Sequence, residues 1–268
     1  MEISLENDFP ENEGLLSQEQ RPYFYRKMRR VVVMVRFAKN LPASEGEDED
    51  KDEETVSFGE GSGFIISRDG HILTCSHVIE DCTDIVVGRT ADELKEAVVF
   101  YDDKLSNVAI LKVKDMDMQY DFCKFGRVEN LHIGMDVFTI MPCPTKLEFT
   151  FTQGFVGFPN RSYRDVVTGT DCRKCDDNLP LIQIHGLNNL SGSSGSPIFD
   201  SMGRVIGMFI LSNRGIDFAV HIRKLREICQ SVIPTSGSGS VSVSGSSSSN
   251  TTHVEKKKRK RKKAGPSH

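Results

Sequence analysis

Short runs of β-branched and aromatic residues, separated by turn sequences, dominate the chain from residue 31 to residue 211. The run Gly63-Phe-Ile-Ile-Ser, for example, leads into Arg68-Asp-Gly, which is a turn sequence. Runs of this length and spacing, with few helical periods between them, predict an all-β sandwich or barrel. The predicted strands are residues 31–37, 63–67, 72–74, 84–88, 97–101, 108–113, 136–140, 148–152, 181–184 and 204–211.

One clear helical pattern follows the last of these runs. In residues 221–233, apolar side chains recur three or four positions apart, and Pro234 comes directly afterwards. This spacing places the apolar side chains on one face of a helix that the proline ends. They are Ile222, Leu225, Ile228, Cys229, Val232 and Ile233.

Charge and composition divide the chain into parts. The first 20 residues contain six Asp or Glu and no Lys or Arg, so residues 1–21 are predicted to be an acidic, solvated tail. Residues 22–233 form the predicted folded domain, residues 234–254 a Ser/Gly linker and residues 255–268 a basic tail. The net charge of −4 therefore averages an acidic body and a strongly basic end.

Inside the folded domain, residues 44–55 interrupt the pattern with eight acids and one lysine. Such a run repels itself and buries no apolar surface, so it predicts an exposed loop inserted between two strands. A site for a basic partner is the alternative interpretation of the same charges.

The sequence predicts no membrane partner and no secretory route. The longest apolar run, Val31 to Val35, is far shorter than the roughly 20 residues that a transmembrane helix needs. The acidic first residues lack the apolar core of a secretory signal. We therefore expect the seven cysteines, an odd number, to stay reduced inside the cell.

The motif Gly192-Ser-Ser-Gly-Ser-Pro197 has the composition of a serine-nucleophile loop. Glycine lets the backbone turn sharply, so that the N–H groups of Gly192 and Ser194 can converge on one oxyanion. The hydroxyl of Ser194 would then project beside that oxyanion hole. A Ser/Gly turn between two strands is the alternative interpretation of this motif alone.

A second motif, Leu73-Thr-Cys-Ser-His77-Val, places a histidine just after a predicted strand. A general base must lie within hydrogen-bond reach of its nucleophile, and the end of a strand can hold an imidazole rigidly. A lone histidine in a β-protein is more often structural, but the pairing with the serine loop predicts the catalytic base.

These motifs resemble the protease domain of the Do-like (HtrA/Deg) serine proteases over residues 56–233. The resemblance implies an all-β, trypsin-like double β-barrel with a short C-terminal helix. It rests on seven segments in the family order, which are Gly61-Ser-Gly-Phe-Ile-Ile, the His77 motif, Ser106-Asn-Val-Ala-Ile-Leu111, Ile133-Gly-x-x-Val-Phe-Thr-Ile, Gln153-Gly-Phe-Val, the serine loop and Gly215-Ile-Asp-Phe-Ala-Val.

The sequence departs from the family at the third position of the triad, where Asn107 stands in place of an aspartate. An amide offers no charge to the imidazolium and can hold the wrong tautomer. In the documented Asp→Asn change in a trypsin-like enzyme, kcat falls about 10⁴-fold. Asp102 and Asp103 lie nearby in sequence, but the family register places them on a turn that points away from His77.

Three further departures concern regulation and substrate. The family commonly carries PDZ domains after the protease domain, whereas this sequence shows a linker and a basic tail. Ser196 replaces a glycine that is common in the family loop. Asp217 replaces a glycine in the segment that would line the primary pocket, where an acid would favour basic side chains; a solvent-facing Asp is the alternative.

By the same resemblance, the strand that pairs with an extended polypeptide substrate contains Met208, Phe209 and Ile210. The family also implies a homotrimer, for which the segment before Val31 is the candidate contact. No cofactor is required by serine-protease chemistry.

The cysteines predict neither a metal site nor a cysteine nucleophile. Cys172-Arg-Lys-Cys175 is a single CxxC, whereas a structural zinc site needs four ligands, so we interpret the pair as thiols in a loop. Cys75 matches a small buried position near His77.

The basic tail resembles a nuclear localisation signal, which predicts a nuclear or nucleo-cytoplasmic protein and an importin partner. A nucleic-acid partner is disfavoured, because no aromatic residues interleave the cations, although salt-sensitive contact with a polyanion and a solvated tail remain alternatives. The run consists of Lys256, Lys257, Lys258, Arg259, Lys260, Arg261, Lys262 and Lys263.

Two functions from different classes follow from these residues. The first is a serine endopeptidase of low activity, in which Ser194 attacks, His77 acts as base and Asn107 is a weak orienter. The second is a protease-fold protein that has lost efficient catalysis and binds polypeptides. Retention of His77 and Ser194 favours the first, and Asn107 favours the second.

Overall fold

The structure is a computed structural model that describes residues 15–40, 56–114, 119–142, 149–167, 174–188 and 191–233. The predicted acidic loop at residues 44–55, the linker, the basic run at residues 256–263 and Cys172 lie outside the described residues. So does most of the predicted acidic tail.

Twelve strands in the described part of the chain form two closed antiparallel barrels of six strands each. Barrel 1 has the order β1-β2-β3-β6-β5-β4, and β1 closes it against β4. Its strands are β1 (Val32–Asn40), β2 (Val56–Ile65), β3 (His71–Thr74), β4 (Asp84–Gly88), β5 (Lys95–Asp103) and β6 (Val108–Val113).

Barrel 2 follows in the chain and has the order β10-β11-β12-β9-β8-β7, closed by pairing of β10 with β7. Closure removes exposed strand edges from both sheets. The strands are β7 (Asp136–Met141), β8 (Thr150–Ser162), β9 (Pro180–His185), β10 (Pro197–Phe199), β11 (Val205–Asn213) and β12 (Ile216–His221).

The described residues also contain four α-helices, and the predicted double barrel with a short C-terminal helix is confirmed. The last helix covers the predicted segment to within a residue at each end, and the side chain of His221 caps it by accepting the N–H of Arg223 at 3.0 Å. The helices are α1 (Gln20–Met28), α2 (Ser76–Ile79), α3 (Tyr163–Val166) and α4 (Ile222–Val232).

The pattern of residues did not predict α1, β10 or β12. Helix α1 buries only Phe24 and Met28, so its sequence carries little amphipathic signal. Strand β10 has three residues and begins at Pro197. Strand β12 has a buried acid, Asp217, beside apolar neighbours, which interrupts its apolar run.

Helix α1 joins the start of barrel 1 to barrel 2. The ring of Phe24 lies 5.3 Å from that of Phe138 and 6.0 Å from that of Phe199, both in barrel 2. Leu16 is also buried, at 3% exposure, so the packed part of the chain begins before the predicted boundary at residue 22. The described residues contain no helix long and apolar enough to cross a membrane.

Candidate active site

The general-base candidate, His77, lies on the one-turn helix α2, directly after strand β3. Cys75 between them is extended and completely buried, which fixes the point where the chain turns. Val78 packs so closely under β2 that a Cβ on Gly61 would lie 2.6 Å from its Cγ1. The absence of a side chain at Gly61 therefore allows α2 to pack against barrel 1.

Asn107 lies in the turn between β5 and β6 and is 3% exposed. Its φ is 52°, in the left-handed region that Asn and Asp tolerate better than other non-glycine residues. Its N–H donates to the carbonyl of Lys104 at 3.2 Å, which closes the turn. The backbone at this position is therefore compatible with either an amide or a carboxylate side chain.

The Asn107 side chain contacts His77 through one oxygen. Oδ1 accepts the backbone N–H of His77 at 3.1 Å and lies 2.9 Å from Nδ1 of the same residue. A backbone N–H can only donate, so the atom that faces it must be the amide oxygen rather than the NH₂ group. The same oxygen then requires a hydrogen on Nδ1, which leaves Nε2 as the acceptor.

This arrangement corrects one expectation from the sequence. Asn107 holds His77 in the tautomer that a general base needs, not in the wrong one. The charge of an aspartate is still missing. In addition, Nδ2 of Asn107 is buried and has no hydrogen-bond partner in the described structure.

Neither aspartate near Asn107 replaces it in this contact. Asp103 accepts the N–H of Ser106 at 3.1 Å through its carboxylate, and Asp102 is exposed on β5. Lys104, in the same turn, pairs with Glu80 at 3.0 Å, and this pairing lowers the pKa of the Glu80 carboxyl. The carboxylates are therefore engaged elsewhere or solvated.

The nucleophile loop turns at two glycines with positive φ, Gly192 at 88° and Gly195 at 92°. Only glycine adopts such conformations freely. A Cβ on Gly195 would also lie 2.0 Å from the carbonyl oxygen of Ser62, so this position has no room for a side chain. Ser194 between them is only half-buried.

Ser62 on β2 holds the loop from the side of barrel 1. Its N–H donates to the carbonyl of Ser194 at 2.9 Å, and its hydroxyl donates to the carbonyl of Gly192 at 2.6 Å. Both carbonyls are thereby turned toward barrel 1. The sequence reasoning missed Ser62, although it lies within the Gly61 motif.

The loop is tied to the residues that precede His77. Thr74 donates its hydroxyl to the carbonyl of Ser62 at 2.8 Å, and the thiol of Cys75 donates to the carbonyl of Phe209 at 3.3 Å. Phe209 also accepts the N–H of Gly195 at 2.9 Å. The base and the nucleophile loop therefore share a continuous set of contacts across the two barrels.

Ser196 is buried at 0% exposure, and its hydroxyl has no partner among the described residues. Its backbone is well held, since its N–H donates to Ser193 and its carbonyl accepts the N–H of Phe209, both at 2.9 Å. The replacement of glycine is thus accommodated without loss of the backbone bonds of the loop.

The predicted substrate strand is β11, and its side chains pack inward. Met208, Phe209 and Ile210 are all buried, so their side chains are not exposed to an extended substrate, and the N–H and carbonyl of Phe209 already bond to Ser196 and Gly195. Asp217 on the neighbouring strand is 3% exposed and accepts the hydroxyl of Ser212. The alternative of a solvent-facing Asp217 is therefore wrong.

Two cavities adjoin the site. One of about 690 Å³ lies between strands β1, β2 and β4 and reaches Ser191 at the start of the nucleophile loop. It includes the exposed ring of Phe58 and the ion pair of Arg36 with Glu60, 2.7 Å long. A second, of about 320 Å³, lies behind the imidazole and is lined by Ser76, His77, Glu80, Lys104, Asn107, Lys174 and Cys175.

A family model of the trypsin-like peptidase domain matches residues 61–208, more than half of the chain. The chain belongs to the trypsin-like peptidase family. The match spans the His77 motif, Asn107 and the nucleophile loop, whose geometry is described above.

Curated relatives support the narrower resemblance to the HtrA/Deg proteases. Proteins of Pseudomonas fluorescens and Bartonella henselae, each named a probable periplasmic serine endoprotease, DegP-like, are 36% and 34% identical over 174 and 179 residues. The matches cover 64% and 65% of this chain but 33% of each relative, so the chain spans about a third of their length.

Two solved structures share the fold with a TM-score of 0.62 each. The active form of a protease from M. tuberculosis is 22% identical, and the match covers 81% of this chain and 86% of that one. An HtrA-type protease solved with a decapeptide is 21% identical, with 79% and 66% covered. At these identities the likeness shows the fold alone.

The comparisons contradict the predicted nuclear or nucleo-cytoplasmic location, because the curated relatives are named periplasmic. The prediction rested on the cations of residues 256–263 alone. The location was wrongly predicted because a run of cations is attracted to any polyanion and does not identify a particular receptor. The importin partner was predicted from the same run of cations, and the comparisons do not show it.

Proposed function

We propose that this domain is a serine endopeptidase of the HtrA/Deg type that cleaves polypeptides. Ser194 is the nucleophile, His77 the general base and Asn107 the residue that orients His77. The backbone N–H groups of Gly192 and Ser194 form the oxyanion hole. The observation that carries the proposal is the contact of Asn107 Oδ1 with both N–H groups of His77, at 3.1 and 2.9 Å.

In the first half-reaction, the Oγ of Ser194 attacks the peptide carbonyl and its proton passes to Nε2 of His77. The tetrahedral oxyanion accepts the N–H groups of Gly192 and Ser194. The C–N bond then breaks, and the imidazolium returns the proton to the leaving amine. Water repeats the sequence on the acyl-enzyme, which releases the acid and restores Ser194.

The contacts of the nucleophile loop support the oxyanion assignment. Ser62 draws the carbonyls of Gly192 and Ser194 toward barrel 1, so these oxygens do not occupy the hole. A preformed hole costs no reorganisation at the moment of reaction. We infer that this half of the machinery is ready before substrate binds.

Asn107 lowers the expected rate without abolishing it. The amide fixes the tautomer but does not stabilise the imidazolium by charge. Because the documented loss of about 10⁴-fold includes the effect of the wrong tautomer, the loss here is expected to be smaller.

A catalytically degenerate protein that binds polypeptides is the second candidate, and one observation favours it. The Nδ2 group of Asn107 is buried without a partner in the described structure, at a cost of about 1–3 kcal/mol. A site selected for turnover gains nothing from that unpaired donor. If this candidate is correct, polypeptides bind along β11 and are not cleaved.

Labelling with a fluorophosphonate probe, alongside casein turnover, separates the two candidates. The probe phosphonylates an activated serine Oγ and releases fluoride. We expect the wild-type chain to label and to cleave casein, Ser194→Ala to do neither, and Ser201→Ala, in a turn on barrel 2, to behave like wild type. Absence of labelling and cleavage in the folded wild-type chain would overturn the peptidase proposal and support the binding protein.

A homotrimer remains a prediction from the family resemblance. Its support is that two apolar side chains are exposed in the described part of the segment before β1, Leu15 at 59% and Tyr23 at 40%. Phe24 and Met28 of the same segment are buried against the chain's own barrels.

A further inference from the structure

The side-chain nitrogen of Asn107 is a buried hydrogen-bond donor that points away from the imidazole. Asn107 is 3% exposed, and its Oδ1 faces both N–H groups of His77, at 3.1 and 2.9 Å. Nδ2 is bonded to the same carbon as Oδ1 and therefore lies on the other side of the amide. It has no hydrogen-bond partner among the described residues. An acceptor for its hydrogens would remove the cost of burying them unpaired.

The cavity of about 320 Å³ behind the imidazole has Asn107 in its wall. The charged groups of its lining are two lysines, Lys104 and Lys174, and one acid, Glu80. Lys104 pairs with Glu80 at 3.0 Å, whereas Lys174 is exposed and forms no ion pair with the residues that the structure describes. The charged side chains of the lining therefore leave one positive charge unneutralised, which is the complement of a singly charged anion.

The carboxylates of the described chain that lie nearest to this cavity are bound elsewhere. Glu80 is held by its ion pair with Lys104. Asp103 and Asp176 each accept a backbone N–H within their own turns, at 3.1 and 2.9 Å. None of these three groups accepts a hydrogen bond from the amide of Asn107. An anion that pairs with this amide would therefore come from solution.

The two walls of the cavity are fixed against each other. The backbone N–H of Asp176 donates to the carbonyl of Leu105 at 2.8 Å, so the segment that carries Lys174 packs on the turn that carries Asn107. Nδ2 itself is covered, so an anion reaches it only after a lining side chain moves. The side chain of Lys104 is 64% exposed, and exposed side chains change rotamer within nanoseconds.

Resting on the proposed peptidase function, we propose that this cavity binds a small monocarboxylate, such as formate or acetate, that activates the catalytic site. One carboxylate oxygen accepts from Nδ2 of Asn107 and the other from the ammonium of Lys174. A single negative charge suits the lining, since the second charge of a phosphate would be repelled by Glu80.

The bound carboxylate acts on His77 through the amide of Asn107. A negative charge beside Nδ2 polarises the amide, so that Oδ1 becomes a stronger acceptor for the N–H groups of His77. The imidazolium that forms during the reaction is then stabilised by a negative charge one amide group away. The anion thereby supplies part of the charge that an aspartate at position 107 would carry.

The first test compares casein turnover by the full chain in sodium formate and in sodium chloride at equal ionic strength. A ligand of three heavy atoms binds with a Kd of about 1 mM at best, so the titration extends to about 100 mM. We expect formate to raise kcat about three- to tenfold relative to chloride. Equal rates in the two salts would overturn the inference.

Three variants show whether the increase comes from this cavity. Lys174→Gln should lose most of it, because the ammonium that binds the anion is gone. Lys114→Gln is the matched control and should keep it, since Lys114 pairs with Glu96 beyond the far end of β6. Asn107→Asp should show no increase, because it carries its own charge and has lost the donor. An undiminished response to formate in Lys174→Gln or Asn107→Asp would contradict the assignment to this cavity.

Binding to an inactive chain separates this inference from the peptidase proposal. In proton–nitrogen correlation spectra of the Ser194→Ala chain, the side-chain amide signals of Asn107 are those that Asn107→Asp removes. We expect these signals to shift saturably with formate and not with chloride, and Lys174→Gln to weaken the affinity at least about threefold. A saturable shift in a chain whose Ser194 form shows no turnover in either salt would sustain the site and reject the peptidase. Turnover without any shift would reject the site and leave the peptidase in place.

Discussion

The two barrels contribute to the site in different ways. Barrel 2 supplies a nucleophile loop whose backbone carbonyls at Gly192, Ser194 and Ser196 all accept hydrogen bonds. Barrel 1 supplies an imidazole whose orienting residue, Asn107, lacks a charge and leaves one buried donor unpaired. The comparison teaches that the positioning of a catalytic group and the charge beside it are separable. Both barrels hold their groups in place by hydrogen bonds, but Asn107 supplies no negative charge to His77.

The largest effect is expected from restoring the charge on barrel 1. Asn107→Asp keeps a residue that tolerates the φ of 52° and keeps an oxygen opposite both N–H groups of His77. We expect kcat to rise by at least about 10-fold and by less than about 10⁴-fold, because only the charge is gained. Casein turnover and probe labelling measure this change.

Asn107→Ala is the matched control, since it removes the orienting oxygen as well. Its rate should fall below that of the wild type. If Asn107→Asp were no faster than the wild type, or Asn107→Ala equally fast, the orienting role of Asn107 would be wrong, and the difference between the barrels would lie elsewhere.

The histidine of barrel 2 should make the free energy of unfolding more sensitive to acid than the histidine of barrel 1 does. Burial lowers the pKa of His221, at the end of β12, to about 4, and the charge of Arg223 adds to this effect. Burial also lowers the pKa of His71 in barrel 1, with a contribution from Lys112. An unfolded histidine takes up a proton near pH 6.5, whereas folded His221 resists until about pH 4.

The unfolded state therefore binds more protons between these values, and the free energy of unfolding decreases as the pH falls from about 6.5 to about 4. The decrease from His221 is on the order of 3 kcal/mol. His221→Asn keeps an acceptor for the N–H of Arg223 and removes the titration. Urea unfolding at pH 7 and pH 4.5 should show a smaller difference for this variant than for His71→Asn; the opposite order would contradict the assignment.

The smallest effect is expected at the contact between the barrels. Ser62→Ala removes the hydroxyl that donates to Gly192 at 2.6 Å but keeps the N–H that donates to Ser194. The unpaired carbonyl costs about 1–3 kcal/mol, and we expect kcat/KM to fall about tenfold as the loop relaxes. Ser57→Ala on the same strand is the control, with no change expected. An unchanged kcat/KM in Ser62→Ala would show that the nucleophile loop keeps its conformation without the hydroxyl of Ser62.

Much of the fold could be predicted because strand length, turn residues and the motifs agree. The strands that the pattern missed, β10 and β12, are short or contain an acid, so local pattern does not reveal them. Helix α1 was missed because it buries only two residues, and one of them, Phe24, packs on barrel 2, so that tertiary contacts rather than periodicity stabilise the helix.

The sequence predicted the candidate catalytic side chains but not the hydrogen bonds that hold them in place. His77, Asn107 and Ser194 stand out by residue type and order. Ser62 does not, because its role depends on which backbone carbonyls come within reach of its hydroxyl and N–H after folding. The tautomer of His77 likewise follows from the contact of its own backbone N–H with Oδ1 of Asn107, which forms only when the chain folds.

The position of helix α1 also has a consequence for the order of folding. Phe24 packs on Phe138, Phe151 and Phe199, which are synthesised only in the second half of the chain. Barrel 1 is encoded by residues 32–113 and can pair its strands earlier, whereas α1 must wait for barrel 2. A nascent chain would therefore present α1 undocked until the strands of barrel 2 have been synthesised, and a chain that ends before β10 would lack the contact of Phe24 with Phe199.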